Sequence, residues 1–123
     1  IIMELTLQSI KSGLFIKNYE NHSLYIDDKI YKNNVLVTSA AVENWNLNDI
    51  DNLNIDDFKN VLDCKPEIII LGTGGNLVIP TSTIINDIQN QGIGFEFMIT
   101  DSACKTFNLL VSENRKVAAA LIL

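Results

Sequence analysis

The chain has 123 residues, 47% of them hydrophobic, and a formal net charge of −6. This length suits one ordinary domain with a continuous core, so we expect a single α/β domain over residues 1–123. An acidic surface repels phosphate backbones, and nucleic acid is therefore excluded as an expected partner.

Membrane insertion and secretion are not expected from the visible residues. The apolar runs fall well short of the ~20 residues that a spanning helix needs. A secretory signal begins with basic residues and a long apolar stretch, whereas Ile1 to Met3 is followed at once by Glu4. We therefore expect a soluble protein that is not an integral membrane protein. Its expected location is the bacterial cytoplasm, or the mitochondrion if a presequence has been removed.

The residues that usually carry catalysis or metal binding are scarce. Cys64 and Cys104 are the only cysteines and His22 is the only histidine. Zinc sites generally bring four ligands at paired spacings, and a serine triad needs a histidine beside its nucleophile. We expect reduced thiols, no metal, no cofactor and no catalytic residues. A non-enzymatic protein is favoured.

The first part of the chain, from Glu4 to Thr38, alternates apolar and polar residues between Gly and Asn/Asp clusters, which predicts an antiparallel β-meander. Asp27 and Asp28 mark a turn, because Asp tolerates left-handed backbone. The expected strands are centred on Leu5 and Leu7, Leu14 and Ile16, Leu24 and Ile26, and Val35 and Val37.

Residues 38–54 form a polar stretch around Trp45, predicted to be a connector. Asn54 followed by Asp57 is typical of a helix start, and Pro66 follows the expected helix end. The spacing of the apolar residues predicts this helix near residues 56–63.

The second half predicts a β-α-β-α-β unit. Uninterrupted β-branched runs are typical of strands covered on both faces, and Gly92 suits the end of a helix. Right-handed crossovers then predict a three-layer α/β domain with a central mixed, largely parallel sheet, helices on its faces and the N-terminal antiparallel β-meander at one side. The expected elements are Ile68–Leu71, 81–91, Phe95–Met98, 101–112 and Val117–Leu121.

A glycine loop, Gly72–Asn76, follows the first buried strand, where open α/β sheets bind ligands. The apolar residues 77–80 separate it from the next helix, so the loop lacks a dinucleotide fingerprint. Two interpretations remain, a structural tight turn or a cradle for an anion or metabolite. The candidate ligand-binding residues are Thr73, Gly74, Asn76, Asp101 and Asn108.

Cys104 is a second candidate site. Thr100 suits the N-cap of the third helix, and a thiol in the first turn of a helix feels its positive dipole end. The weaker alternative is therefore a cysteine-dependent enzyme. The apolar spacing with Phe107 and Val111 favours a buried, structural Cys104 instead.

Trp45, Asp49 and Asp51 form a candidate partner surface, in which acidic residues surround an aromatic anchor. The alternative is that Trp45 belongs to the core.

The second half contains four stretches of a recognisable pattern, Ile68–Gly74, Gly92–Met98, Ala103–Leu110 and Glu113–Leu121. They resemble the signature of the family of small α/β domains of unknown biochemical function that includes mitochondrial complex I assembly factor 3 and the adipogenesis-associated domain-containing protein. The chain departs from it at Asn114, where a glycine is usual, and at Lys105, where arginine is commoner.

The resemblance implies a three-layer α/β fold without established catalytic residues and a role in assembling respiratory complex I. It therefore predicts a non-catalytic assembly or interaction factor whose partner is a protein, with components of respiratory complex assembly as the candidates. Pairing with a second copy is left open. The competing hypothesis is a small-molecule or anion-binding protein that uses the Gly72–Asn76 loop.

Overall fold

The structure, a computed structural model, describes residues 14–47 and 49–123. Within them lie eight β-strands in two sheets, three α-helices and two short 3-10 turns. The strand expected at Leu5 and Leu7 lies outside the described residues.

The smaller sheet is an antiparallel meander of β1 (Ile16–Glu20), β2 (Ser23–Ile26) and β3 (Lys29–Tyr31). Its second turn is the predicted one, with Asp27 at φ 52°. Short polar side chains tolerate this left-handed region better than β-branched ones. Asn114 also adopts a positive φ of 60°. The turn at Asn114 therefore keeps a glycine-like backbone without glycine.

The larger sheet has five strands in the order β5-β4-β8-β6-β7. Strand β6 runs parallel to both β7 and β8, while β4 is antiparallel to β8 and β5. The predicted mixed sheet is confirmed. Its strands are β4 (Val35–Thr38), β5 (Val42–Asn44), β6 (Ile68–Gly72), β7 (Gly94–Met98) and β8 (Val117–Leu121).

Two expectations for the first half are wrong. The sequence placed Val35 and Val37 in the meander, but β4 joins the larger sheet beside β8. The stretch 38–54, predicted to be a connector, contains strand β5. The physical reason is that Val35, Leu36 and Val37 are all buried, so β4 needs cover on both faces.

The three predicted helices are confirmed. Asn54 and Asp57 form a capping box at the start of a 3-10 turn, Ile55–Phe58, which leads into α1 (Lys59–Leu62). Helix α2 covers Ser82–Gln89 and ends before Gly92, which has a φ of 79° as expected. Helix α3 covers Thr100–Ser112. A second 3-10 turn lies at Ile50–Asn52.

The larger sheet is the middle of three layers, because alternate residues of its buried strands point to opposite faces. Ile70 and Ala119 pack under α3 and the small sheet, while Ile69 and Ala120 pack under α2 and the segment around Phe58. Strand β8 contains three consecutive alanines, whose small side chains occupy the centre of the sheet.

Side-chain hydrogen bonds tie the small sheet to the rest of the domain. Asn108 of α3 donates to the Ile16 carbonyl at 2.7 Å and accepts from the Ile16 amide at 2.9 Å. The Tyr19 hydroxyl and His22 Nδ1 both contact the Leu123 carbonyl, at 2.9 and 2.7 Å. The meander is thereby held against α3 and the residues that follow β8.

Gly72, at the end of β6, lets this strand lie close to Thr100 of α3. A Cβ at this position would lie 2.9 Å from Thr100 Oγ1 and 3.1 Å from Thr100 Cα. The second contact involves backbone, which cannot rotate away. Gly72 therefore sets the distance between the end of β6 and the start of α3.

We expect Gly72→Ala to lower the free energy of unfolding by roughly 2 kcal/mol, because the methyl group overpacks this contact. The matched control is Gly75→Ala, since a Cβ on Gly75 would meet nothing within 4 Å. Urea denaturation of both variants measures the difference. Equal stability of the two would contradict the account of this contact.

Candidate functional site

The carboxyl ends of the parallel strands meet around Thr100, whose side chain is fully buried. Its hydroxyl donates to the Ile122 carbonyl at 2.5 Å and accepts from the Gly74 amide at 2.8 Å. The Ile122 amide donates in turn to the Gly72 carbonyl at 3.0 Å. One side chain thus joins the segments that follow β6 and β8 to the start of α3.

This arrangement corrects the prediction that Thr100 is the N-cap of α3. The N-cap is Ile99, without a side-chain cap bond, and Thr100 is the first helical residue. The Thr100 hydroxyl faces neighbouring strand ends, and its hydrogen bonds to them replace the local cap.

The glycine loop is held by its own hydrogen bonds. Thr73 Oγ1 donates to the Asn76 carbonyl at 2.7 Å and accepts from the Val78 amide at 3.2 Å. The Gly74 carbonyl accepts from the Thr100 amide at 3.0 Å, and Gly74 has a φ of 90°. The Thr73 hydroxyl and the Gly74 amide, which a cradle would turn toward a ligand, are engaged within the protein. The geometry is that of a tight turn.

The structure divides the five predicted ligand-binding residues between two places. Thr73, Gly74 and Asn76 lie in the loop, whereas Asp101 and Asn108 line a groove of about 180 Å³ between β1 and α3. Among the described residues, the lining of this groove includes none of the three loop positions. Asp101 accepts from Lys105 at 3.0 Å, and Asn108 holds Ile16. A single polar pocket shared by the loop and these two residues stays a prediction.

Cys104 lines the same groove but is buried within the core beneath α3. Burial, reinforced by the negative charge of Asp101, raises the pKa of the Cys104 thiol to about 12. A helix start favours the thiolate, yet the loss of solvation outweighs it here. His22, the only histidine, is bonded to Leu123. Cys104 therefore has the properties of a structural thiol.

Trp45 is a core residue, which decides between its two interpretations. Its side chain is 6% exposed, lies against Phe58 with ring centroids 5.7 Å apart, and donates from Nε1 to the Asp57 carbonyl at 2.9 Å. Asp49 and Asp51 are exposed, and Asp49 accepts from the Asp51 amide. Of the predicted partner surface, the carboxylates of Asp49 and Asp51 are exposed, whereas the aromatic anchor, Trp45, is buried.

Sequence reasoning missed an exposed apolar feature next to the glycine loop. Leu77 and Ile79 are 55% and 72% exposed, on either side of half-buried Val78. The signal was present as an aliphatic run between a polar loop and Pro80, outside any strand or helix. Exposed aliphatic residues are ordinary when they are scattered singly, but here two lie two positions apart in one loop.

Across residues 14–47 and 49–123, no helix has the length and hydropathy to cross a membrane. The same ranges contain no group of three or more His, Cys, Asp or Glu side chains placed to hold a metal ion.

The fold and its hydrogen-bonded strand ends define a small three-layer α/β domain. A family model described as "Protein of unknown function (DUF498/DUF598)" matches residues 16–122. The chain belongs to this family, and the resemblance seen in its sequence is confirmed.

Two relatives and one solved structure give the context. The chain is 32% identical over 123 residues to the "13 kDa major membrane protein" of Francisella tularensis, covering 98% of this chain and 100% of that protein. It is 31% identical over 111 residues to "NADH dehydrogenase (ubiquinone) 1 alpha subcomplex assembly factor 3" of Xenopus tropicalis, covering 89% of this chain and 61% of that protein. An NMR structure of a Xanthomonas campestris protein superposes with a TM-score of 0.80 at 26% identity, covering 89% and 83% of the two chains.

We expect iodoacetamide at pH 8 to label exposed Cys64 at least ~100-fold faster than buried Cys104, because only the thiolate reacts. Mass spectrometry of the digested protein gives both rates in one sample, so Cys64 is an internal control. In denaturant the two rates should converge. Labelling of Cys104 in the native protein at the rate of Cys64 would revive the cysteine-enzyme hypothesis.

Proposed function

We propose that this protein works by contact with another protein, as an assembly or interaction factor without chemistry of its own. The observation that carries the proposal is the position of Leu77 and Ile79, two exposed aliphatic side chains at the carboxyl edge of the parallel strands. Many α/β proteins bind their ligands at this edge. Here the Thr73 hydroxyl and the Gly74 amide are engaged internally, and Leu77 and Ile79 are exposed.

The loop is well suited to protein binding because its backbone is already fixed. Thr73 bonds both Asn76 and Val78, and Thr100 holds Gly74. A surface that is ordered before binding loses less conformational entropy when a partner covers it. Burying the exposed parts of Leu77 and Ile79 would then contribute on the order of 1 kcal/mol each.

Acidic side chains supply a second part of the proposed surface. Asp49 and Asp51 are exposed, in a chain whose net charge is −6. Such groups speed encounter with a basic partner more than they add to final affinity. Trp45 is excluded from the surface by its burial.

Components of respiratory complex I assembly are the proposed partners. A relative 31% identical over 111 residues bears the name of a complex I assembly factor, although the chain spans 61% of that protein. The Francisella relative is named a membrane protein. We therefore propose that the protein acts in the cytoplasm on machinery bound to the membrane.

The small-molecule alternative stays a prediction. The Thr73 and Thr100 hydroxyls are both engaged by backbone groups of the protein, which gives an anion in the Gly72–Asn76 loop fewer free donors. The cysteine-enzyme alternative has no support from the raised pKa of Cys104.

Affinity purification of the tagged protein from its native cell, with quantitative mass spectrometry, tests the interaction. We expect a Leu77→Ser, Ile79→Ser variant to recover its specific partners at least ~10-fold less well than the parent protein, because the apolar contact is lost. Its thermal midpoint should stay close to that of the parent, since both side chains are exposed.

The matched control is Leu109→Ser, which removes a 58% exposed leucine from α3. It should keep the partners. Equal recovery by the loop variant and the parent would remove this surface from the proposal, and the absence of specific partners for the parent would contradict the interaction role itself.

A further inference from the structure

Strand β7 lies at one end of the larger sheet and pairs with β6 alone among the described strands. The Gly94 amide donates to the Glu67 carbonyl, and the Met98 carbonyl accepts from the Thr73 amide. In a parallel pair, every second residue directs both backbone groups toward the neighbouring strand. Gly94, Glu96 and Met98 therefore face β6.

The backbone groups of Phe95 and Phe97 consequently point to the open edge of the sheet. Each presents one N–H donor and one C=O acceptor, the pattern that another strand recognises. The opposite edge strand, β5, has three residues against five in β7. Strand β7 is thus the longer of the two edge strands of the larger sheet.

Glu96, at the middle of β7, is exposed. If two copies paired their β7 strands antiparallel over all five residues, Phe95 of each copy would bond Phe97 of the other. The two Glu96 side chains would then stand directly opposite each other. Like charges in this position destabilise a strand pair, and a charge on an edge strand is a common protection against self-association.

We propose that the open edge of β7 binds an extended segment of a different protein that carries a Lys or Arg opposite Glu96. The segment would become a sixth strand, bonded to the backbone of Phe95 and Phe97, while the half-buried Phe97 and Met98 side chains offer apolar contact. Glu96 attracts the basic strand and disfavours a second copy. This inference rests on the proposed function, because it states how a protein partner docks.

Two five-residue peptides with blocked ends test the edge directly, Thr-Val-Lys-Val-Thr and the matched Thr-Val-Glu-Val-Thr. They are titrated into the ¹⁵N-labelled full chain at low salt. We expect the Lys peptide to bind at least ~5-fold more tightly, to shift the amide signals of Phe95 and Phe97 most, and to slow their hydrogen exchange. Equal binding of both peptides, or shifts that avoid β7, would overturn the proposal.

A mixing experiment with two forms of this protein tests whether the charge of Glu96 controls pairing at the β7 edge. Labelled parent protein is mixed with unlabelled Glu96→Lys, which places opposite charges across the strand pair. The mixed pair should bind at least ~10-fold more tightly than either protein binds itself. The control is Glu113→Lys, an equal charge change at an exposed residue that follows α3.

Association of the parent with Glu113→Lys as tight as with Glu96→Lys, or no association with either at millimolar concentration, would overturn the assignment of this edge. These results are separate from those of the affinity purification. If the peptide and mixing experiments fail, the apolar loop is still a contact surface in the proposed function. If the affinity purification recovers no specific partner, the results expected for the peptides do not change.

Discussion

The domain depends on the hydrogen bonds of one buried hydroxyl. Thr100 joins Gly74, after β6, to Ile122, after β8, and it does so from the first turn of α3. Gly72 lies directly beneath it, without a side chain that would push the helix away. The hydroxyl satisfies an amide and a carbonyl in the interior, where either group would be costly if left unpaired.

At this junction the Thr73 and Thr100 hydroxyls and the Gly74 amide are hydrogen-bonded within the protein, and the loop leaves Leu77 and Ile79 exposed. The interior near the start of α3 is filled by packed side chains. The resulting burial raises the pKa of the Cys104 thiol, which makes this thiol unsuited to acid-base chemistry. A fixed apolar loop and an open strand edge are features that favour contact with other proteins.

Features set by neighbouring residues could be predicted from the sequence. The β6 run, the capping box at Asn54, the turn at Asp27 and the left-handed Gly92 each follow from local preferences, and the structure confirms them. Long-range competition decided the rest. Strand β4 looked like another strand of the meander, because alternation does not reveal which sheet will cover its second face.

The same limit applies to the candidate site. Sequence reasoning located the glycine loop at the end of a buried strand, but it could not show that Thr100 would close it from 26 positions away. Nor could it show that Asn108 would bond both backbone groups of Ile16, 92 positions away in the small sheet. Trp45 illustrates burial by distant packing, since its polar neighbours in sequence hid its contact with Phe58.

The most direct test of the central claim compares Thr100→Val with Thr100→Ser. Valine keeps the shape but leaves the Gly74 amide and the Ile122 carbonyl without their partner, so the free energy of unfolding should fall by about 2 kcal/mol. Serine keeps the hydroxyl and should recover at least half of that loss. Hydrogen exchange at the Gly74 amide should speed up in the valine variant alone. A valine variant as stable as the parent, with Gly74 still protected, would contradict the account.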